Sequence, residues 1–187
     1  MASFGAMHGP APSSLLIGIG NPLRGDDGVG PWLVESWRQG RAALEAPGDQ
    51  GLGAQANVQV RLVDQLLPEL AAELAAVDRV LFVDAWQAPQ GAAPQLLALA
   101  APGGLADMAG DASPLSSWAP SHRLRPTELL ALTQHLFGRA PLAGALLIPA
   151  YGFAATDPET APGCFSSELR RQLPMACHSL EQWLGQG

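Results

Sequence analysis

The stretch "GIGNPLRGDDGVG", residues 18–30, decides how this sequence is interpreted. It follows the apolar run "SLLI", and residues 14–20 together have the length and composition of a buried strand. Residues 29–44 then place Leu33, Trp37 and Leu44 at roughly helical spacing, and Pro31 is acceptable in a first helical turn. A strand, a glycine-containing loop and a helix in this order predict the start of an α/β fold.

A dinucleotide site also begins with this order of elements, but the chemistry of the loop argues against one. Leu23 stands where the third glycine of the dinucleotide fingerprint belongs. Asp26 and Asp27 lie where a pyrophosphate would bind, and like charges would repel it. The acid that binds the ribose, expected about 20 residues on, is replaced by Arg41 or Ala42. A nucleotide-binding module is therefore disfavoured.

The two adjacent carboxylates of the loop need a different explanation. Aspartate is a favoured cap for a following helix, and Asp-Asp-Gly forms a good turn, so we expect Asp26 or Asp27 to serve as a cap. Two carboxylates are more than one cap requires, and their mutual repulsion calls for a cation to offset it. A bound metal ion is the natural candidate.

The rest of the chain continues to alternate strands and helices. Further strands are predicted at 57–64, 79–86, 94–100 and 143–152, and helices at 67–78, 125–138 and 166–184. The 125–138 helix is expected to carry Leu129, Leu130, Thr133, Leu136 and Phe137 on one face, and Pro174 is expected to kink or restart the last helix. This alternation predicts an α/β fold with a mainly parallel or mixed sheet and helices on both faces.

Length and composition favour one globular domain without nucleic-acid or membrane partners. The 187 residues are 48% hydrophobic and 14% charged, the net charge is −7, and every basic side chain is an arginine. We expect residues 1–13 to be a flexible tail and residues 14–187 to form the domain. Without a signal-peptide pattern or an apolar span, and with Cys164 and Cys177 expected to be reduced thiols, the chain is predicted to be cytoplasmic. A monomer is the expected oligomeric state, although no sequence pattern determines it.

Candidate metal ligands follow the ends of two predicted strands. Asp27 comes after the first strand and Asp84 ends a later one, so parallel strands would place both carboxylates at one edge of the sheet. His122 follows the long loop 101–121, from which an imidazole could reach the same edge. Two carboxylates and one imidazole suit a divalent transition metal with open positions. The chain has no G-x-S-x-G or H-E-x-x-H pattern, which argues against a serine triad or a zincin site.

Three segments, in order and spacing, resemble the hydrogenase maturation endopeptidases: "GIGNPLRGDDGVG", "LFVDAW" and "PSHRLRPTELL". The first is the most specific, and the resemblance covers residues 14–184. The family trims the C-terminal extension from the large-subunit precursor of nickel–iron hydrogenases after nickel insertion. The resemblance implies the same endopeptidase activity here. It also implies a single-domain, three-layer αβα sandwich around a twisted mixed sheet of about five strands.

The resemblance also implies roles for individual residues. The family's metal-binding side chains fall on Asp27, Asp84 and His122, and Asp27 stands where many members have glutamate. Asp27 and Asp84 would be catalytic, and Asn21 would stabilise the turn through its side-chain amide. The nickel is expected to arrive with the precursor rather than as a resident cofactor, although Zn or Cd could occupy the same ligands.

The segment after the second strand departs from the common family pattern. Asp64 is followed by Gln65 where many members have two glycines, and "DQLLPEL" resembles the subgroup that serves bidirectional, NAD-linked hydrogenases. Asp64 and Gln65 are weaker candidates for binding the substrate peptide, as is the loop 101–121. A non-catalytic nickel-delivery or metallation-sensing protein using the same three ligands is the alternative function.

Overall fold

The described residues form a five-stranded sheet covered by helices on both faces, as the sequence predicts. The computed structural model describes residues 13–40, 58–100, 124–153 and 163–186. The strands are β1 (Ser14–Ile19), β2 (Val58–Val63), β3 (Arg79–Gln87), β4 (Gln95–Leu99) and β5 (Leu142–Ala150). The α-helices are α1 (Val29–Arg38), α2 (Ala71–Ala75), α3 (Pro126–Phe137) and α4 (Ser167–Leu184), with 3₁₀ turns at Gly25–Gly28 and Pro68–Leu70. None of the described helices is long and apolar enough to cross a lipid bilayer.

The order of the described strands is β2-β1-β3-β5-β4, and β4 is the one among them that runs antiparallel to its neighbour. Ile19 at the end of β1 pairs with Val63 on one side, and Gly18 pairs with Val83 on the other. The chain therefore leaves β2, β1 and β3 at the same edge of the sheet, called here the carboxyl edge. Ligand sites of open α/β sheets form at this edge.

Both faces of the sheet pack against helices, which explains why the central strands are mostly apolar. β1 is buried at every position, and β5 is buried from Gly144 onward. One core joins the sheet to α1 and α4, and the other joins it to α2 and α3. β2 alternates between half-buried and exposed positions over most of its length, in keeping with its place at the end of the strand order.

The apolar face predicted for α3 is buried over its first part but exposed at its end. Leu129, Leu130 and Thr133 are fully buried, but Leu136 is 59% exposed and Phe137 is 48% exposed. α3 packs against α2, which has only five residues. Helical spacing gives the direction of a side chain but not how far the neighbouring element extends, and α2 is too short to cover the last turn.

The last helix, α4, runs through Pro174 in one piece, so the expected restart is absent. Proline removes the hydrogen bond that its N–H would make to the carbonyl of Arg170. Pro174 and Arg170 are both exposed. Water can solvate the released carbonyl there, whereas the buried stripe of Ala176, Leu180, Trp183 and Leu184 holds the helix on the sheet.

Candidate active site

The loop after β1 lies so close to the sheet that glycine is required in it. Gly20 has φ +134°, and a Cβ atom on it would lie 1.9 Å from the carbonyl oxygen of Asp27. A Cβ atom on Gly30 would lie 2.4 Å from the carbonyl oxygen of Val83 and 2.5 Å from that of Ile19. The 3₁₀ turn Gly25–Gly28, called here the acidic turn, is therefore held against the ends of β1 and β3.

Asp26 is 1% exposed, and its carboxylate accepts four hydrogen bonds. Oδ2 accepts from the backbone N–H of Tyr151 at 2.9 Å, the N–H of Gly152 at 3.0 Å and the Ser166 hydroxyl at 2.7 Å. Oδ1 accepts from the N–H of Ser166 at 2.7 Å. Asp26 thus joins the loop to the residues after β5 and to the N-cap of α4.

The expectation that Asp26 or Asp27 caps the following helix is wrong. The N-cap of α1 is Gly28, and no side chain donates or accepts a capping hydrogen bond there. The carboxylate of Asp26 is used by backbone donors that are distant in sequence, so it is unavailable to α1. Ser166 caps α4 instead, since its hydroxyl accepts from the N–H of Leu169 at 3.2 Å.

Asp27 has a different environment from its neighbour, although the two are adjacent in the chain. Its side chain is half-buried, and Oδ2 accepts from the backbone N–H of Asn21 at 3.1 Å. Asn21 Oδ1 in turn accepts from the N–H of Leu23 at 2.9 Å, so Asn21 stabilises the turn as predicted. Among the described residues, Asp27 Oδ1 has no hydrogen-bond donor. This oxygen is available to a ligand at the carboxyl edge.

Asp84 lies near the end of β3, where it pairs with Leu147 of β5. Its side chain is half-buried, and Oδ1 accepts from the N–H of Ala85 at 2.8 Å. The acidic turn packs against β3, so the fold brings Asp27 and Asp84 to the same edge. Carboxylates on neighbouring strand ends can act as general bases or bind a divalent cation.

His122, the third predicted ligand, lies outside the described residues, as does the loop 101–121. α3 begins four positions later at Pro126, where Glu128 accepts from the N–H of Arg125 at 2.8 Å. Residues 138–141 alone connect α3 to the start of β5, so α3 begins on the side of the carboxyl edge. Within the described ranges, no group of three His, Cys, Asp or Glu side chains could hold a metal ion. The complete ligand set therefore stays a prediction.

Asp64 and Gln65, the predicted substrate-binding residues, directly follow β2 and are exposed. The N–H of Gly20 donates to the carbonyl of Val63 at 3.0 Å, which holds the end of β2 beside the loop. The two side chains therefore lie at the carboxyl edge, one strand further out than Asp27. His135 on α3 and His178 on α4 are both exposed.

Sequence reasoning missed two features of this edge. The indole nitrogen of Trp86, two residues after Asp84 on the same face of β3, is buried and has no hydrogen-bond partner in the described part of the chain. The four hydrogen bonds that the Asp26 carboxylate accepts were also not predicted, because the donors lie 125 to 140 positions away in the sequence. The alternation of β3 could have indicated that Trp86 shares the face of Asp84. No pattern in the sequence indicates which residues donate hydrogen bonds to Asp26.

Comparisons with known proteins place the fold. No protein-family model matches the chain, and no curated protein does. Hydrogenase maturating endopeptidase HybD from E. coli superposes with a TM-score of 0.61 at 17% identity, covering 93% of both chains. The nickel–iron hydrogenase maturation protease HycI from Thermococcus kodakarensis gives 0.58 at 16% identity, again over 93% of both chains.

A third solved structure is the hydrogenase 2 maturation peptidase from a Thaumarchaeota archaeon. Its TM-score is 0.56 at 19% identity, over 94% of this chain and 99% of that one. Each of the three similarities covers more than nine-tenths of both chains. The chain has the fold of the hydrogenase maturation endopeptidases.

Proposed function

We propose that the protein is an endopeptidase that removes the C-terminal extension of a nickel–iron hydrogenase large-subunit precursor. The observation that carries the proposal is the shared fold together with the segment "GIGNPLRGDDGVG", which presents Asp27 at the carboxyl edge beside β3. The expected compartment is the cytoplasm and the expected state is a monomer. The bidirectional, NAD-linked class is the proposed subgroup of hydrogenase, on the basis of Gln65 and its neighbours.

In this proposal, Asp27 and Asp84 contact the nickel that the precursor already carries, and His122 completes the ligand set. Two hard carboxylate oxygens and one imidazole nitrogen form a donor set suited to a divalent transition metal. The same set would accept Zn or Cd. Because the metal belongs to the substrate, the three side chains would test whether the precursor is fully metallated.

For the cleavage itself, Asp27 or Asp84 is the proposed general base. The carboxylate would accept a proton from water as the water attacks the scissile carbonyl, and the proton would then pass to the leaving amine. Nickel would contribute charge stabilisation at the carbonyl oxygen. Asn21 supports this arrangement by donating its N–H to Asp27, which fixes the orientation of that carboxylate. Asp64 and Gln65 are the proposed contacts for the peptide that is removed.

Processing of a large-subunit precursor with and without nickel tests the proposal. The purified protein is incubated with each form, and the mass of the precursor is followed with time. We expect the nickel-loaded form to lose its C-terminal extension and the nickel-free form to keep its full mass. If both forms bind but neither is cleaved, the protein is the non-catalytic nickel-delivery or metallation-sensing alternative.

A further inference from the structure

A groove of about 410 Å³ lies between α1 and the end of β2, next to the acidic turn. Pro22, Gly28, Trp32, Glu35, Leu62 and Phe165 are among its lining residues, and we call it the α1–β2 groove. The rings of Trp32 and Phe165 meet edge to face at 5.4 Å and 86°, which fixes one wall. The volume suits one or two apolar side chains rather than a helix or a folded domain.

The groove is preformed, and the described residues that line it carry no uncompensated charge. A Cβ atom on Gly163 would lie 2.8 Å from the indole nitrogen of Trp32, so the loop before α4 closes tightly on this ring. Glu35, the acidic lining residue, is held by Arg38 at 2.7 Å. The hydrogen bond from Arg38 also keeps the pKa of Glu35 below its usual value. A neutral, apolar side chain therefore fits the groove better than a charged one.

On the side of β2 that faces away from β1, no described strand pairs with the backbone. Among the described residues β2 pairs only with β1, and the carbonyl of Val63 faces β1 because it accepts from Gly20. In a parallel ladder the N–H and C=O of alternate residues point the same way. The N–H and C=O of Leu62 therefore point outward. Val60 fits this pattern, since its carbonyl accepts from the side chain of Arg61 at 3.2 Å instead of from a strand.

The groove and the outward backbone of Leu62 are continuous with the candidate active site. Pro22 and Gly28 line the groove, and Asp27 lies next to Gly28 in the chain. Leu62 is 45% exposed, and Leu23, beside Pro22, is 54% exposed. An extended peptide that pairs with an exposed strand edge obtains affinity from main-chain hydrogen bonds and specificity from a pocket for alternate side chains. The outward backbone of Leu62 provides the hydrogen-bonding groups, and the adjacent α1–β2 groove provides the pocket.

We infer that the α1–β2 groove is a substrate-binding subsite for an extended segment of the precursor protein. The segment adds to the free edge of β2 through the N–H and C=O of Leu62, and it places one apolar side chain in the groove. This inference rests on the proposed function, because it takes the substrate to be a polypeptide cut beside Asp27. It adds a recognition element that is independent of the metal ligands.

Two substitutions at one position separate the backbone contribution from that of the side chain. Leu62→Pro removes the outward N–H, and proline is tolerated on an edge strand where the N–H faces solvent. Leu62→Ala keeps the N–H and removes only the apolar wall. Circular dichroism and thermal unfolding establish that each variant is folded. Affinity is measured by biolayer interferometry for the nickel-loaded precursor and for the same subunit without its extension.

We expect Leu62→Pro to weaken precursor binding roughly tenfold, because one hydrogen bond and one apolar contact are lost. Leu62→Ala should weaken it about threefold, and both should leave the cleavage rate at saturating precursor within about twofold of wild type. Affinities of both variants equal to that of wild type would overturn the subsite. If Leu62→Pro does not fold, the outcome with Leu62→Ala decides the question alone.

The remaining outcomes distinguish this inference from the proposed function. A wild-type protein that binds the precursor without cutting it overturns the endopeptidase assignment, while weaker binding by both variants would still support the subsite. Size-exclusion chromatography tests the other occupant, a second copy of this chain. Self-association that is lost in Leu62→Pro, with unchanged precursor affinity, would assign the edge to a dimer and overturn the subsite.

Discussion

Asp26 and Asp27 are neighbours in the chain, yet their environments give them separate tasks. Asp26 is buried and accepts from Tyr151, Gly152 and Ser166, so its charge is satisfied inside the protein. Within the described part of the chain, Asp27 accepts one hydrogen bond, from Asn21, and it is half-buried at the carboxyl edge. A buried charge is tolerated only when hydrogen-bonded donors surround it. The first carboxylate therefore holds the loop, and the second is the one available for chemistry.

We expect Asp27→Asn to reduce precursor processing by roughly a hundredfold or more, since an amide cannot act as a base. The melting temperature should stay near that of wild type, because the amide oxygen can still accept from Asn21. Asp27→Glu is the matched control, since it keeps a carboxylate at this position, and it should retain measurable processing. Mass spectrometry of the precursor gives the rate. Processing by Asp27→Asn at the wild-type rate would remove Asp27 from the mechanism.

The position of α1 on the sheet depends on two glycines, one in the loop after β1 and one in the first turn of the helix. Gly20 and Gly30 allow the start of α1 to lie directly on the ends of β1 and β3. A larger residue would meet the backbone of the acidic turn at Gly20 and the backbone of two strands at Gly30. Close packing of the acidic turn on the sheet therefore follows from the spacing of these glycines. The turn can then present Asp27 at the carboxyl edge.

Gly30→Ala should destabilise the protein by more than about 3 kcal/mol, because its methyl group would meet two strand carbonyls within 2.5 Å. Gly138→Ala is the matched control. Gly138 ends α3 with φ +71° and has open space around it, so the substitution costs only about 1 kcal/mol of backbone strain. Urea unfolding measures both values. If both variants lose the same free energy of unfolding, the backbone around Gly30 can accommodate a methyl group without extra cost.

At the scale of the whole molecule, α4 is fastened to the sheet at both of its ends. Asp26 binds its N-cap, Ser166, at the carboxyl edge. At the opposite edge the buried guanidinium of Arg79 donates to the carbonyl of Trp183 and stacks on its ring, 4.1 Å from the centroid. Burial lowers the pKa of Arg79. The 18 residues of α4 span about 27 Å, so the two contacts are well separated.

Asp26→Asn and Arg79→Met should each cost about 2 to 3 kcal/mol, because each leaves buried hydrogen-bonding groups without their partner. The loss of unfolding free energy in the double variant should equal the sum of the two single losses to within about 0.5 kcal/mol, since the sites are distant and share no partner. Urea unfolding of the four proteins in this cycle provides the test. A coupling larger than about 1 kcal/mol would show that α4 transmits strain from one edge to the other.

The sequence by itself determined the α/β class, all five described strands, and the loop that begins with Gly18. Periodicity and glycine chemistry are local, and the rule that parallel strands end at one edge extends them to Asp27 and Asp84. The tertiary structure decided the contacts and exposures that the local sequence pattern does not encode. It gave Asp26 partners more than a hundred positions away, exposed Leu136 and Phe137 beyond a short helix, and turned the backbone of Leu62 outward beside a groove. These features depend on which elements meet and how far each one extends.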